Sequence, residues 1–529
     1  MASKKTKRRT PSRVTSTARP KPQSQTPPVP AKSQPPNRAR RAPAAAQPDV
    51  GRYVQPAIVA FVGLVFLVAA GIGAGVLLAG VAAAMLYVGR TIVAVGRGER
   101  PVVAVQKAVV LTLVFLLPVT IDPRTADVFA TVKFSILATG GVLLLGLLVA
   151  DLVMRRDRPR PTAVHALVAF LVVWGIVTTL ASGHAKLSTL GFYSSNNGLA
   201  TLVCLALLFA VTATSFRPSD IRPSVAMCWF ATTGVIVLYG VLQLLDQAWP
   251  GHGLEPVNWP AGVGVKVFGS TGVWATFGNP NHLGGYCAIA LPLGLAMLFG
   301  ARAAWERWLS AAILAGLALI VGQTSSRGAW VAAFVGIVLM AILNRRTIFG
   351  VIRRRPALSA GGVVVALGSV AFSFNSGLLS KGTSALFDTS GSTTIAQRLH
   401  FWRTTVRMAA HEPLLGYGMD GYRLTFPHFA SAKFIDIWGY DLSVTGPHNT
   451  FMAHLYWGGW PALAAFVAVV VLAAIAFVRA FRRLRDGEFG DLALPFAAVA
   501  ITGLAYLLVE SFNVERLELA AIFWFAVGL

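Results

Sequence analysis

The chain has 529 residues, of which 55% are hydrophobic and 13% charged, and its formal net charge is +25. Apolar runs of roughly 17–25 residues recur along nearly its whole length, each long enough to cross a bilayer core as a helix, which excludes a soluble globular enzyme. The runs do not alternate apolar with polar residues, so a spanning β-barrel is excluded too, and the fold class is an all-α polytopic membrane protein of about 14 (12–14) transmembrane helices.

The charge is unevenly spread. Residues 1–52 carry 13 Lys or Arg against one acidic residue, Asp49. This stretch is also rich in Pro, Ser, Thr, Ala and Gln, which cannot build a core, and it is expected to be a disordered cytoplasmic tail. Its cluster Lys4-Lys5-x-Lys7-Arg8-Arg9 fits anionic lipid head groups better than nucleic acid, so membrane lipids are an expected partner and nucleic acid is not. No cleavable signal peptide is evident, because the first apolar run begins only near Pro56. Cys204, Cys228 and Cys287 fall in or beside apolar runs without metal-ligand spacing, so no metal site and no disulfide framework is expected.

In chain order, residues 54–95 are too long for one helix and hold a Gly71-x-Gly73-x-Gly75 break, which predicts a hairpin of two spans. Further spans are predicted near 103–120, 128–152, 162–182, 198–215 and 223–246. Others follow near 282–300, 308–325, 328–344, 359–375, 450–478, 491–511 and 517–529. Threaded from a cytoplasmic N-terminus, this count puts every basic cluster on one side, as loops facing the cytoplasm should be. These are Arg97/Arg100/Lys107, Arg155-Arg156-x-Arg158-x-Arg160, Arg217/Arg222, Arg302/Arg307, Arg345-Arg346, Arg353-Arg354-Arg355 and Arg479 with Arg482-Arg483-x-Arg485. The expected organisation is the tail at 1–52, a helix bundle at 53–375, one large external loop at 376–449, and C-terminal spans at 450–529.

Arginines left on the external side need a reason. Arg327, in Gln323-Thr324-Ser325-Ser326-Arg327-Gly328-Ala329-Trp330, sits between two apolar runs with almost no loop. At that depth a charge must snorkel, pair or face water, so it is either an interfacial anchor or an anion-binding group. Arg398 and Trp402 share one face of a predicted helix, with Arg403 and Arg407 on a neighbouring face. Either this helix lies on lipid head groups, or the planar guanidinium of Arg398 grips phosphate oxygens in a bidentate way. His448, in Gly446-Pro447-His448-Asn449, ends the loop and could accept and return a proton near neutral pH, in competition with His400, His411, His428 and His454. Phe277-Gly278-Asn279-Pro280-Asn281-His282 opens a span as a turn and helix start. No phosphate-cradling glycine loop, metal-ligand spacing or nucleophile elbow occurs, so no cofactor is expected.

Taken together, five motifs resemble the O-antigen ligase and O-antigen polymerase (Wzy-type) superfamily. They are Gly191-Phe192-Tyr193-Ser194-Ser195-Asn196-Asn197-Gly198, Thr276-Phe277-Gly278-Asn279-Pro280-Asn281 and Thr324-Ser325-Ser326-Arg327-Gly328-Ala329-Trp330. Arg398 with Trp402 and then Glu412-Pro413-Leu414-Leu415-Gly416-Tyr417-Gly418 comes next, and Pro447-His448-Asn449-Thr450 closes the series. The resemblance spans about residues 100–529. It implies a GT-C-like fold and metal-independent transfer of a glycan from a polyprenyl diphosphate carrier to an acceptor hydroxyl, on the outer face of the cytoplasmic membrane. The acceptor would be a glycan, lipid or protein. Arg327 and Arg398 would stabilise the diphosphate and His448 would be the base, with Asn279, Asn281, Trp402, Arg403 and Asn449 as substrate contacts. A repeat-unit polymerase of the same superfamily and a lipid-linked glycan flippase are the alternatives. The flippase is disfavoured by the absence of mid-bilayer carboxylates and of an inverted repeat.

Overall fold

The computed structural model of the protein describes residues 100–122, 125, 127–154, 161–248, 273–324, 326–354, 394–439, 444–486 and 490–529. The basic tail, the hairpin at 54–95, the span at 359–375, the arginines at 155–160 and 355, and loop residues 376–393 lie outside the described residues.

Among the described residues there are helices and no strands. Eight helices are long and apolar enough to cross a membrane by length and composition, or nine if one pair bent by 81° counts as a single span. Two shorter apolar helices, Leu199–Ser215 and Leu517–Gly528, complete the set. Each of the eleven falls on a run predicted from the sequence.

The helices that position the site are named here in chain order. They are α1 (Pro101–Val119), α2 (Thr131–Met154), α3 (Ala163–Ala181), α4 (Leu199–Ser215), α5 (Pro280–Phe299), α6 (Ala304–Gln323) and α7 (Arg327–Leu343). They continue as α8 (Thr394–His411), α9 (Tyr422–Phe429), α10 (Ala432–Trp438), α11 (Thr450–Asp486), α12 (Gly490–Glu510) and α13 (Leu517–Gly528). Helix α5 lies at the centre, packed on α6, α7 and α12. Small residues permit that closeness: a Cβ on Gly284 of α5 would stand 2.7 Å from Thr324 Oγ1 and 3.1 Å from the Cβ atoms of Ser326 and Ala329. In lipid, such backbone proximity takes the place of a hydrophobic driving force between helices.

The bundle has two chemically different ends. At one, short loops are stitched by ion pairs, Arg100–Asp151 at 3.0 Å, Lys107–Asp220 at 2.8 Å and Arg222–Glu306 at 3.3 Å. At the other, α5, α7 and α11 all begin, and α8 packs on α11.

The long run at 450–478 is one helix interrupted by a kink. Gly458 (φ −137°) and Gly459 (φ 63°) leave helical geometry, so α11 breaks after two turns. The freed backbone is re-paired, as membrane depth requires. Trp174 Nε1 donates to the Gly458 carbonyl, Trp460 N donates to Pro413 O, and Tyr417 N and Gly418 N donate to Tyr456 O and Trp457 O. The Glu412–Gly418 motif is therefore a strap that seats the end of α8 on the break.

Candidate active site

Three helix starts converge at the capped end. Asn279 is the N-cap of α5, its Oδ1 accepting from Asn281 N at 2.8 Å. Ser326 precedes α7, so Arg327 occupies the first helical position. Asn449 caps α11, accepting from Phe451 N and Met452 N, while its Nδ2 donates to Ser511 O. Helix N-termini carry partial positive charge and free N–H groups, so this end of the bundle favours an anion.

Arg398 projects from α8 toward the same place. Burial, and after it the charge of Arg327, pull its pKa below the ordinary value, so the two guanidinium groups act on each other. Neither has an acidic partner among the described residues, and Arg327 Nη1 is buried with no hydrogen bond. Two cations held together with no acidic partner among the described residues suit an anionic ligand. Arg403 points elsewhere: it is on the exposed side of α8, near His400.

His448 is set in left-handed backbone (φ 52°), a conformation few non-glycine residues adopt outside strained or functional positions. Its ring stacks on Phe401 at 5.5 Å, and Trp402 Nε1 holds the preceding carbonyl of Pro447 at 3.1 Å. Burial first, then the nearby Arg398, bring its pKa down to about 4. At neutral pH it is therefore an unprotonated imidazole beside Arg398.

His448 also lines a cavity of about 110 Å³. It reaches about two turns down between α4 and α13, to Leu205 and Trp524. The loop Gly191–Gly198 forms part of its rim by winding around Asp420, whose Oδ2 accepts from Phe192 N at 2.8 Å and Ser195 Oγ at 2.6 Å. Gly191 (φ 83°) is required there, since a Cβ would stand 2.6 Å from that oxygen.

Residues 311–467 match the family model described as O-antigen ligase. That segment carries an O-antigen ligase family domain. No curated protein matches the chain. Within this O-antigen ligase segment fall Arg327, Arg398, Trp402, Arg403, His448 and Asn449, whereas Asn279 and Asn281 lie before it. The family is one of ligase- and polymerase-type membrane proteins.

The structure thus brings Arg327, Arg398, Trp402 and His448 together. Asn279 and Asn449 stand at the same place as helix caps, and Asn281 is partly exposed beside them. Sequence reasoning missed His282, which lies within electrostatic reach of His448 and Arg516, and it missed Glu515 on the cavity wall. It also passed over Lys133, whose ammonium holds Thr276 O at 3.0 Å and Glu518 at 3.1 Å, although a lone lysine inside an apolar run is itself a signal.

Proposed function

We propose that the protein transfers a glycan from a polyprenyl diphosphate carrier to an acceptor hydroxyl on the outer face of the cytoplasmic membrane. The observation that carries this reading is the mutual proximity of Arg327 and Arg398, two guanidinium groups without a carboxylate partner among the described residues, next to a neutral His448. A diphosphate is the anion such a pair fits, since planar guanidinium forks match phosphate oxygens.

In the reaction, His448 takes the proton of the acceptor hydroxyl as its oxygen bonds to the anomeric carbon. The bond from that carbon to the carrier's phosphate oxygen breaks, and its electron pair leaves on the diphosphate. Charge grows on oxygens facing Arg327 and Arg398, which are already in place and need no reorganisation. Release of polyprenyl diphosphate and return of the proton to solvent reset the site. The fixed positive charge that this reading uses is that of the arginines.

Purified protein in lipid nanodiscs, given a polyprenyl-diphosphate glycan and candidate acceptors, is expected to release carrier and form joined product. Product length then separates ligation to a different acceptor from polymerisation. Folded His448→Ala protein should show no transfer. Arg398→Lys keeps the charge but loses the bidentate grip, and its kcat should fall roughly 10²–10³-fold. Wild-type turnover by either variant refutes the reading.

A further inference from the structure

His448 borders a cavity that Arg327 and Arg398 do not line. That cavity is walled by different chemistry: Asp420, Glu515 and Thr445 share its wall with Trp457 and Trp524. Carboxyl groups on the wall disfavour phosphate, and aromatic walls suit the C–H face of a sugar ring.

Two of the polar groups are already committed. Asp420 Oδ2 is spent on the Gly191–Gly198 loop, and His454 Nδ1 bonds the Thr450 carbonyl at 2.8 Å. Glu515 is held but not saturated. Its Oε1 accepts from Tyr506 at 2.7 Å and its carbonyl accepts from Asn197 Nδ2 at 2.8 Å, which leaves Oε2 without a hydrogen bond among the described residues. Burial raises the pKa of this carboxyl above its ordinary value, with the Tyr506 hydroxyl pulling the other way. A group so placed tolerates a neutral hydroxyl and disfavours a second anion.

We infer that this cavity is the subsite for an uncharged sugar ring of the acceptor, with Glu515 Oε2 accepting from one of its hydroxyls. The inference rests on the transfer reading above and adds to it the class of acceptor and the residue that selects it. The acceptor hydroxyl is then presented to His448 while Arg327 and Arg398 hold the diphosphate, and in-line attack places the two on opposite sides of the anomeric carbon.

The test has two arms. In the first, transfer is measured with matched neutral and uronic-acid acceptors. Wild type should prefer the neutral acceptor at least tenfold in kcat/KM, and Glu515→Gln should raise the acceptor KM about fivefold or more while the donor KM stays put. A rise confined to the donor KM places the donor's own sugar in the cavity and overturns the assignment. An unchanged preference in Glu515→Gln overturns it as well. The second arm needs no turnover: quenching of tryptophan fluorescence by neutral hexose and pentose disaccharides, with digalacturonate as the anionic control. Saturable quenching by a neutral disaccharide, weakened in Glu515→Gln, supports the subsite even if no polyprenyl diphosphate proves to be a donor. Quenching by digalacturonate alone, or by none of them, overturns it.

Discussion

The indole N–H of Trp402 donates to the Pro447 carbonyl at 3.1 Å, so the helix that carries Arg398 fixes the backbone immediately before His448. One side chain thereby ties the helix of Arg398 to the backbone that carries His448. It also helps hold His448 in its left-handed conformation.

Trp402→Phe should separate positioning from folding. The ring contact with Phe512, now 6.0 Å between centroids, survives, while the hydrogen bond is lost. Stability should drop by only about 0.5–1.5 kcal/mol. Turnover should fall between about 10- and 100-fold, because loosening a reacting group by less than an ångström costs that much. A fall in kcat with donor KM unchanged is the expected result. A fall in melting temperature that accounts for all lost activity would instead make Trp402 a packing residue.

Acid should be tolerated further than an ordinary histidine allows. His448 has a folded pKa of about 4, so the free enzyme keeps its base until well below pH 6.5, and the acidic limb of kcat/KM should fall nearer pH 4. Bound diphosphate adds negative charge beside the ring and should move the limb of kcat upward. Arg398→Gln removes the cation and should raise the kcat/KM limb part of the way, since burial is the larger cause. The stability sign agrees with a lowered pKa. Between pH 6.5 and 4 the unfolded chain binds a proton that the folded one refuses, so this contribution is full above 6.5 and is lost as pH falls toward 4. A kcat/KM limb unmoved by Arg398→Gln would dissociate the two residues.

Much of this was legible in the sequence because membrane insertion imposes a strong pattern. Hydropathy located α1, α5 and α7 within a few residues, and Asn-Pro-Asn and Pro-His-Asn announced helix starts that the structure shows to be capped by Asn279 and Asn449. What periodicity cannot encode is which residues meet across the fold. The break at Gly458–Gly459 lies inside a run that reads as one helix, and only its pairing with Pro413–Gly418 shows why two glycines stand there. Arg403, five steps on, is turned by about 140° from Arg398, so the helical period already gave its different face even though the resemblance suggested a substrate contact. Glu515 carried no motif at all. Its place on the cavity wall follows from the turn that returns α13 beside α4.

Lys133 and Glu518 make a second, wholly enclosed test. Both side chains are fully buried, 3.1 Å apart, with Arg516 Nε 3.4 Å from the same oxygen and the ammonium 4.8 Å from the Phe277 ring centroid. The lysine also ties down Thr276 O at the start of the Thr276–Asn281 motif, so it links α13 to the turn before α5. Lys133→Met should destabilise by about 3–5 kcal/mol, since it strands a buried carboxylate. Lys133→Met combined with Glu518→Gln should cost much less than the sum of the single changes. Thermal unfolding in detergent micelles measures both, and strict additivity would remove the coupling.

The strap across the helix break gives the last prediction. Gly459 has φ 63°, and a Cβ there would stand 2.3 Å from Pro413 O and 2.5 Å from Leu414 O. Both atoms are backbone, so neither can swing aside as a side chain could. Gly459→Ala must therefore push Pro413–Gly418 off the break and release the hydrogen bond from Trp460 N to Pro413 O. The strap begins at the end of α8, the helix that carries Arg398 and Trp402, so the displacement reaches the site from behind. Transfer should fall at least tenfold while the spans stay inserted. The shift should also appear as faster proteolysis confined to residues 411–421, because a lifted strap exposes backbone that is now paired. Intact activity in a folded Gly459→Ala protein would mean that α8 keeps its place without the strap, and that its contacts with α9, α10 and the Pro447 carbonyl are enough to seat Arg398.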